Sequence, residues 1–270
     1  MEIASTAIIS AKAIIKKGVS IGPYCIVEDD VEIGAGTRLD SHAIIKQYTT
    51  LGEQNHLYPG VVLGNDPEDR NFACPRSYLR IGNRNVFREF SSASRGTPVD
   101  SETVIGDDNY IMIGVHIAHN CRLGSNVVIC NNCSLGGYVE IGDRAFLSAN
   151  VLVHQYTRIG RLAMVSGNTR VNQDVPPFFL VSDFDITAHG LNRVGLKRAG
   201  LSGKAISEIK KAYQLLYRAG LPLKAALERM EKEVPSVEVK QLVDFIRGSK
   251  RGICRDFRDR AKSLDEVVED

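Results

Sequence analysis

The chain has 270 residues, 43% of them apolar and 24% charged, with a formal net charge of +2. That composition excludes a disordered chain, which could not bury enough apolar surface to fold. No run approaches the roughly 18–20 apolar residues of a membrane span. Aromatics are only 7%, Trp is absent and Gly numbers 24, so a core of small and aliphatic side chains is expected.

The first segment, MEIASTAIISAKAIIKKG, has an apolar tint. No basic stretch precedes it, and Lys12, Lys16 and Lys17 interrupt it, so it does not read as a secretory signal. The expected location is the cytoplasm. Six cysteines are too few for a disulfide scaffold.

From Ile3 an aliphatic residue recurs every six positions, eleven times in succession, through Ile9, Ile15, Ile21 and onward to Leu63. Residues 65–79 and 97–104 then interrupt the beat with Pro-rich, charged sequence, while Ile81 and Phe87 keep it briefly between them. Both stretches read as loops leaving the scaffold, where function is often carried. Ile105 opens a second series of twelve that runs to Val171. Four residues after each aliphatic lies a small or β-branched residue, such as Ala7, Val19, Cys25, Thr37, Asn55, Asn109, Cys121 or Cys133. A period of six fits neither a helix nor a long alternating strand. It fits short strands joined by tight corners and stacked as a parallel solenoid. Gly often follows the aliphatic (Gly22, Gly34, Gly52, Gly82, Gly106, Gly124), as corners with unusual dihedrals would favour.

The beat stops at Pro176-Pro177, and from about residue 191 the texture becomes helical. Ser202 is placed to cap a helix with Ile206, Ile209, Tyr213, Leu216 and Tyr217 on one face, ending at Gly220. Further helices are expected over about 222–233 and 236–247. The predicted organisation is a solenoid over 1–188 and a helical domain over 189–270. Residues 189–262 carry 18 Lys/Arg against 8 Asp/Glu, and the last eight residues add four acids. Such a basic face suits phosphates or an acidic partner, and equally a solvated helical surface.

If three hexapeptides make one coil, residues 18 apart stack. IAHNCR, LGGYVE and VHQYTR, beginning at 117, 135 and 153, then share a face. Their third positions, His119, Gly137 and Gln155, lie one above another, with His119 and Gln155 roughly 10 Å apart. His154 adjoins Gln155, and His116 lies three residues before His119. A lone His is usually structural. A His beside free backbone N–H groups is also a plausible arrangement for acyl transfer. Cys130 and Cys133 have the spacing of a zinc or redox motif. The repeat phase instead puts Cys133 with Cys25 and Cys121 in the small-residue column, where free Cys is a compact apolar filler. His116, His119 and His154 could also bind zinc as in a solenoidal carbonic anhydrase, whose usual spacing they lack.

The repeats resemble the hexapeptide-repeat acyltransferases, which implies a left-handed parallel β-helix with three hexapeptides per triangular coil. IGVHIAHNCRLG (113–124), NNCSLGG (131–137), VHQ (153–155), DVPPF (174–178) and GLNRVGLKR (190–198) further resemble the UDP-N-acetylglucosamine O-acyltransferase family. The likeness covers all but about the last fifteen residues. It implies a homotrimer with sites between neighbouring prisms. The implied reaction moves a 3-hydroxyacyl chain from acyl carrier protein to the sugar 3-hydroxyl, the first step of lipid A biosynthesis. No metal or soluble cofactor, nucleic acid or membrane segment is implied. By resemblance His119 is the general base and the Gly137 N–H stabilises the oxyanion. His116, His154, Gln155 and Asn192 line the cleft. Asp69, with Arg70 beside it, contacts the sugar, and Arg198 meets nucleotide phosphate or carrier phosphopantetheine. Gly167 sits where side-chain size limits acyl length.

Several positions depart from the family pattern. The first loop reads EDRNF (68–72), with Asn71 in place of a substrate-binding Lys. Tyr138 stands where a His is usual, Asn120 where an acid is usual, Val194 for Glu and Ala199 for Arg. The departures cluster on the nucleotide-sugar side. They leave open transfer to the 3-hydroxyl, transfer to a 3-amino acceptor, and binding without turnover.

Overall fold

The computed structural model describes residues 2–258, so the acidic run at 263–270 lies outside the described residues. Strands mostly two residues long form three walls of twelve, nine and eight strands, built in rotation around a left-handed triangular prism. Outside the insertions and the C-terminal hairpin, neighbours within a wall are parallel and lie 18 residues apart, as Ile3 beside Ile21 and His116 beside Ser134. Each coil rests on the next through main-chain hydrogen bonds, such as Gly34 N–H to Leu51 O (2.8 Å) and His116 N–H to Cys133 O (2.9 Å).

The six-residue aliphatics point inward. From Ile33 to Leu63 all are within 1% of complete burial. The small-residue column lies beside them at the corners, with Val19, Cys25, Cys121 and Cys133 at 0% exposure. Cys25, Cys121 and Cys133 donate their thiols to the carbonyls of Asp40, Gly136 and Ser148. Burial pushes the Cys121 thiol up to about 12 and the Cys133 thiol to about 11. Where the column turns polar it forms a ladder along one edge. Asn85 N–H donates to Asn55 Oδ1 (2.9 Å), Asn109 N–H to Asn85 Oδ1 (2.9 Å) and Val127 N–H to Asn109 Oδ1 (2.7 Å).

The glycines that follow the aliphatics are there for another reason than the expected one. Gly34, Gly52, Gly82 and Gly106 have ordinary φ values, but a Cβ on Gly34 would meet Gly52 O at 2.3 Å and one on Gly106 would meet Gly124 O at 2.6 Å. They permit close approach of successive coils. The left-handed dihedrals occur two residues further on, at Asp30, Asp108, Asn120, Asn126, Asn132 and Tyr138 among others. Asn and Asp tolerate that region better than most residues.

The two interruptions are shorter than 65–79 and 97–104. Strands Tyr78–Ile81 and Glu102–Ile105 reclaim their ends, because Leu79 and Thr103 are themselves buried. The strand Ser92–Ser94 continues the interior column with Ala93, which is too small to register as an aliphatic beat. Partners therefore lie 30 residues apart across the first insertion (Leu51 beside Ile81) and 24 across the second (Ile81 beside Ile105). Both insertions leave between the second and third walls.

At the C-terminal end, strand Phe179–Ser182 joins the first wall, and Thr187–Leu191 turns back antiparallel to it. The expected boundary at 188 falls inside this hairpin. The helices are α1 (Arg193–Arg198), α2 (Gly203–Tyr217), α3 (Leu223–Glu233) and α4 (Val237–Arg247). Ser202 and Ser236 cap α2 and α4 by accepting from Ala205 N–H and Val239 N–H. Helix α2 ends at Tyr217, three residues before Gly220. Ile209, Tyr213 and Leu216 are buried on it, and Tyr213 packs edge-on against Phe179 with ring centroids 5.0 Å apart. Among the described residues no helix is long and apolar enough to cross a membrane.

Phe87 is the largest residue of the interior column, 1% exposed between Leu57 and Ile111. Phe87→Ala leaves a void that rigid walls cannot collapse. Equilibrium denaturation is expected to show a loss of about 3–5 kcal/mol.

Candidate active site

Five successive coils present their corner between the second and third walls on one edge. In order these corners carry the first insertion, the second insertion, His119, Gly137 and Gln155. The expected column is present. Tyr138 N–H donates to His119 O and Tyr156 N–H to Gly137 O, both at 3.0 Å. The backbone of Gln155 lies against Gly136, where a Cβ would meet its N at 2.7 Å.

The His119 ring lies over Gly137. A Cβ on Gly137 would be 2.5 Å from Cε1 and 2.7 Å from Nε2, so only glycine leaves room for this ring position. Among the described residues the Gly137 N–H donates to no backbone oxygen. His119 Nδ1 lies 3.0 Å from Asn120 Oδ1, and that same oxygen accepts Thr97 N–H at 3.0 Å. A carbonyl oxygen held this way can only accept, so Nδ1 carries the proton and Nε2 presents a lone pair. The tautomer is thus set by a hydrogen bond from the second insertion.

His116 lies on the outer face of the second wall, with Ser92 Oγ 2.9 Å from Nδ1 and Glu68 Oε2 4.0 Å from Nε2. Burial lowers its affinity for a proton and His119 adds to that, while Glu68 acts in the other direction. Asp69 lies in the same insertion. Its carboxylate accepts Asn71 N–H and its carbonyl accepts Phe72 N–H, forming a tight turn. Tyr138 meets His119 edge-on (5.4 Å) and stacks on Tyr156 (4.8 Å). Burial raises the Tyr138 hydroxyl pKa, and Tyr156 and the Asp69 charge raise it further. Arg70 is exposed on the loop, and His154 and Gln155 are exposed two coils above His119. His154 Nδ1 donates to the Gln155 carbonyl (3.1 Å). A groove of about 620 Å³ runs from Asn120 and Tyr138 along the third wall to Lys250 and Arg251.

Three expected residues lie elsewhere in the chain. Asn192 and Arg198 line a cavity of about 410 Å³ between α1 and the first wall, with Val128, Phe146 and Met164 on its floor. The Asn192 amide is already engaged: Oδ1 accepts Gly195 N–H and Nδ2 donates to Leu162 O, tying the start of α1 to a coil. Gly167 is exposed at a corner between the first and second walls, where a Cβ would meet Ala149 O at 3.1 Å. One chain therefore holds the expected residues as separate groups. Thr97, Ser92 and Glu68 were not singled out as site residues from the sequence. Only Glu68 carried a signal there, inside the EDRNF departure.

A prism of hexapeptide coils with a histidine over a glycine at one corner is the architecture of a hexapeptide-repeat acyltransferase. A bacterial transferase hexapeptide profile matches residues 12–47 and 102–137, and one described as UDP N-acetylglucosamine O-acyltransferase, domain 2, matches 174–254. The acyl-[acyl-carrier-protein]--UDP-N-acetylglucosamine O-acyltransferase of Thermodesulfovibrio yellowstonii is 46% identical over 94% of this chain and 99% of its own. That of a Janthinobacterium species is 41% identical over 93% and 98%. Among solved structures, the UDP-N-acetylglucosamine acyltransferase of Bacteroides fragilis superposes with a TM-score of 0.92 at 37% identity, over 94% of this chain and all of that one. The Francisella novicida enzyme gives 0.90 at 37% identity, over 94% of each. The chain belongs to the acyl-[acyl-carrier-protein]--UDP-N-acetylglucosamine O-acyltransferase family.

Gly137→Ala tests the ring position. The added methyl collides only with the His119 side chain, so thermal unfolding should be nearly unchanged. Turnover should fall about a hundredfold, as displacing a reacting group by about 1 Å costs.

Proposed function

We propose that the protein transfers a 3-hydroxyacyl chain from acyl carrier protein to the 3-oxygen of UDP-N-acetylglucosamine, opening lipid A biosynthesis, with His119 as the base. The observation that carries this reading is the His119 ring over Gly137, with Nδ1–H held by Asn120 and Nε2 free. Nε2 takes the proton from the sugar 3-hydroxyl as its oxygen attacks the thioester carbonyl. The carbonyl oxygen gains charge beside the Gly137 N–H. One such donor is worth about 2.7–4 kcal/mol of barrier. The C–S bond then breaks, the thiol leaves with the proton held on Nε2, and the ester and neutral His119 remain. The net proton movement, from the attacking hydroxyl to the departing thiol, is one that His119 can serve, so the reading calls on no metal or soluble cofactor. Asp69 and Arg70 stand over the sugar, with His116, Tyr138, His154 and Gln155 along the cleft wall. A cytoplasmic location belongs to the same reading.

The assembly in this reading is a homotrimer in which Asn192 and Arg198 of one chain complete the cleft of the next. The outer faces of the walls support it. The first wall is lined outside by half-buried Val86, Tyr110, Val128, Phe146, Met164 and Leu180, one above another. The second wall begins with Ile8, Ile26, Ile44 and Val62, and Ile8 is 66% exposed. The third wall carries Arg80, Arg122, Glu140 and Arg158. Apolar stretches on the first two walls, beside a third that is mostly charged from Arg80 to Arg158, suit an assembly that covers parts of two walls and leaves the third in water. Gly167 then leaves room for a long acyl chain.

The test is a mass-spectrometric transfer assay with UDP-N-acetylglucosamine, its 3-amino analogue and a series of 3-hydroxyacyl carrier proteins. Ester product is expected from the 3-hydroxy sugar and should fall about 10²- to 10⁴-fold in His119→Ala. No product from either sugar would sink the reading. Amide product from the 3-amino sugar alone would reassign the acceptor. Asn120→Asp keeps the acceptor for Nδ1–H but places a full negative charge 3.0 Å from the ring. The charge favours the imidazolium, so the acid limb of the kcat/KM profile should move to higher pH.

A further inference from the structure

The first insertion carries Glu68 and Asp69 but has little internal structure beyond the turn at Asp69. What holds it is a side chain from the next coil. Arg95 opens the second insertion, and its side chain is only 8% exposed. Its Nη2 donates to Asp66 Oδ1 at 2.7 Å, and its guanidinium lies 5.4 Å from the Phe72 ring centroid and 5.6 Å from that of Tyr48. Its main-chain N–H donates to Asn65 O (3.0 Å). Asp66 precedes Glu68 and Asp69, and Phe72 follows them, so one guanidinium fastens the segment at both ends. A flat, always-charged fork can pair with a carboxylate and stack on a ring at once, which an ammonium cannot.

The segment that bears Arg95 also reaches the base. Two residues on, Thr97 N–H holds Asn120 Oδ1, which sets the His119 tautomer. Gly96 between them is closed in by Ser101, whose carbonyl carbon a Cβ would approach to 2.6 Å.

We propose that Arg95 is a positioning residue that fixes the acceptor loop, and through Thr97 the orientation of the base, without itself touching substrate. This rests on the acyltransfer reading above. The test uses Arg95→Ala, Arg95→Lys, Asp66→Asn and Phe72→Ala in the full chain, with two readouts. The first is hydrogen–deuterium exchange of residues 66–72 without substrates, which is independent of any activity. The second is steady-state kinetics with each substrate varied in turn. Exchange in 66–72 should rise in all four variants, while the walls stay protected. KM for UDP-N-acetylglucosamine should rise about tenfold or more in Arg95→Ala and less in Arg95→Lys, with the donor KM unchanged. Asp66→Asn and Phe72→Ala remove exposed-side partners only, so they report on the loop even where Arg95→Ala folds poorly. Unchanged exchange and acceptor KM in the loop variants would overturn the proposal. Raised exchange in the variants, together with a wild type that turns over neither sugar, would instead retain the staple and discard the acyltransfer reading.

Discussion

Each coil of the prism is seated on the one below by main-chain hydrogen bonds repeated around three walls. Everything else follows from that registry. With coils spaced like neighbouring strands, a residue and its counterpart eighteen positions later are forced into vertical contact. His119 therefore has no choice of floor: it stands over residue 137, and only glycine leaves the ring where it is. The same registry explains why the insertions cost the scaffold nothing. Both open at one corner and return to the strand that would have come next, so the walls pass them without a break.

The site divides its tasks between rigid and adjustable parts. His119 and Gly137, the proposed base and oxyanion donor, are on the prism, where strands on either side hold them. Asp69 and Arg70, the proposed sugar contacts, are on the first insertion, which Arg95 contacts at Asp66 and Phe72. Asn120 joins His119 to the second insertion. An amide in place of a carboxylate still fixes the imidazole tautomer, because Thr97 commits its oxygen to accepting. It places no formal charge beside the ring. The departure at Asn71 falls on the first insertion and that at Tyr138 on the prism, edge-on to His119, and the ring–glycine pair is intact.

Much of the architecture was legible because the interior of a prism repeats. An aliphatic every sixth residue places the walls, and counting by eighteen places His119, Gly137 and Gln155 in one column. The misreadings have specific causes. Ala93 is a buried member of the column but too small to be seen as one. Leu79 and Thr103 are buried in strands that extend past the six-residue phase, so the loops were drawn too long. Glycines chosen for close approach look the same in sequence as glycines chosen for positive φ. Arg95 was invisible because its partners Asp66 and Phe72 belong to another coil. The Thr97–Asn120 bond likewise joins an insertion to a corner more than twenty residues away.

The two ends of the prism are unequal. The inward-facing Ile3 of the first coil is 43% exposed, and Ile9 and Ile15 are only half-buried, whereas Phe178 and Phe179 at the other end are fully buried beneath the hairpin and α2. In a linear array each unit draws its stability from its neighbours, and among the described residues the first coil pairs with one other coil only. Unravelling thus has a direction. It begins at the N-terminal coil and must remove several more before reaching His119, which follows the sixth of nine strands in the second wall. The corner that bears His119 thus sits in the middle of the rod. A proteolytic machine that pulls from the N-terminus meets the soft end first, and one that pulls from the C-terminus must first strip the helical cap.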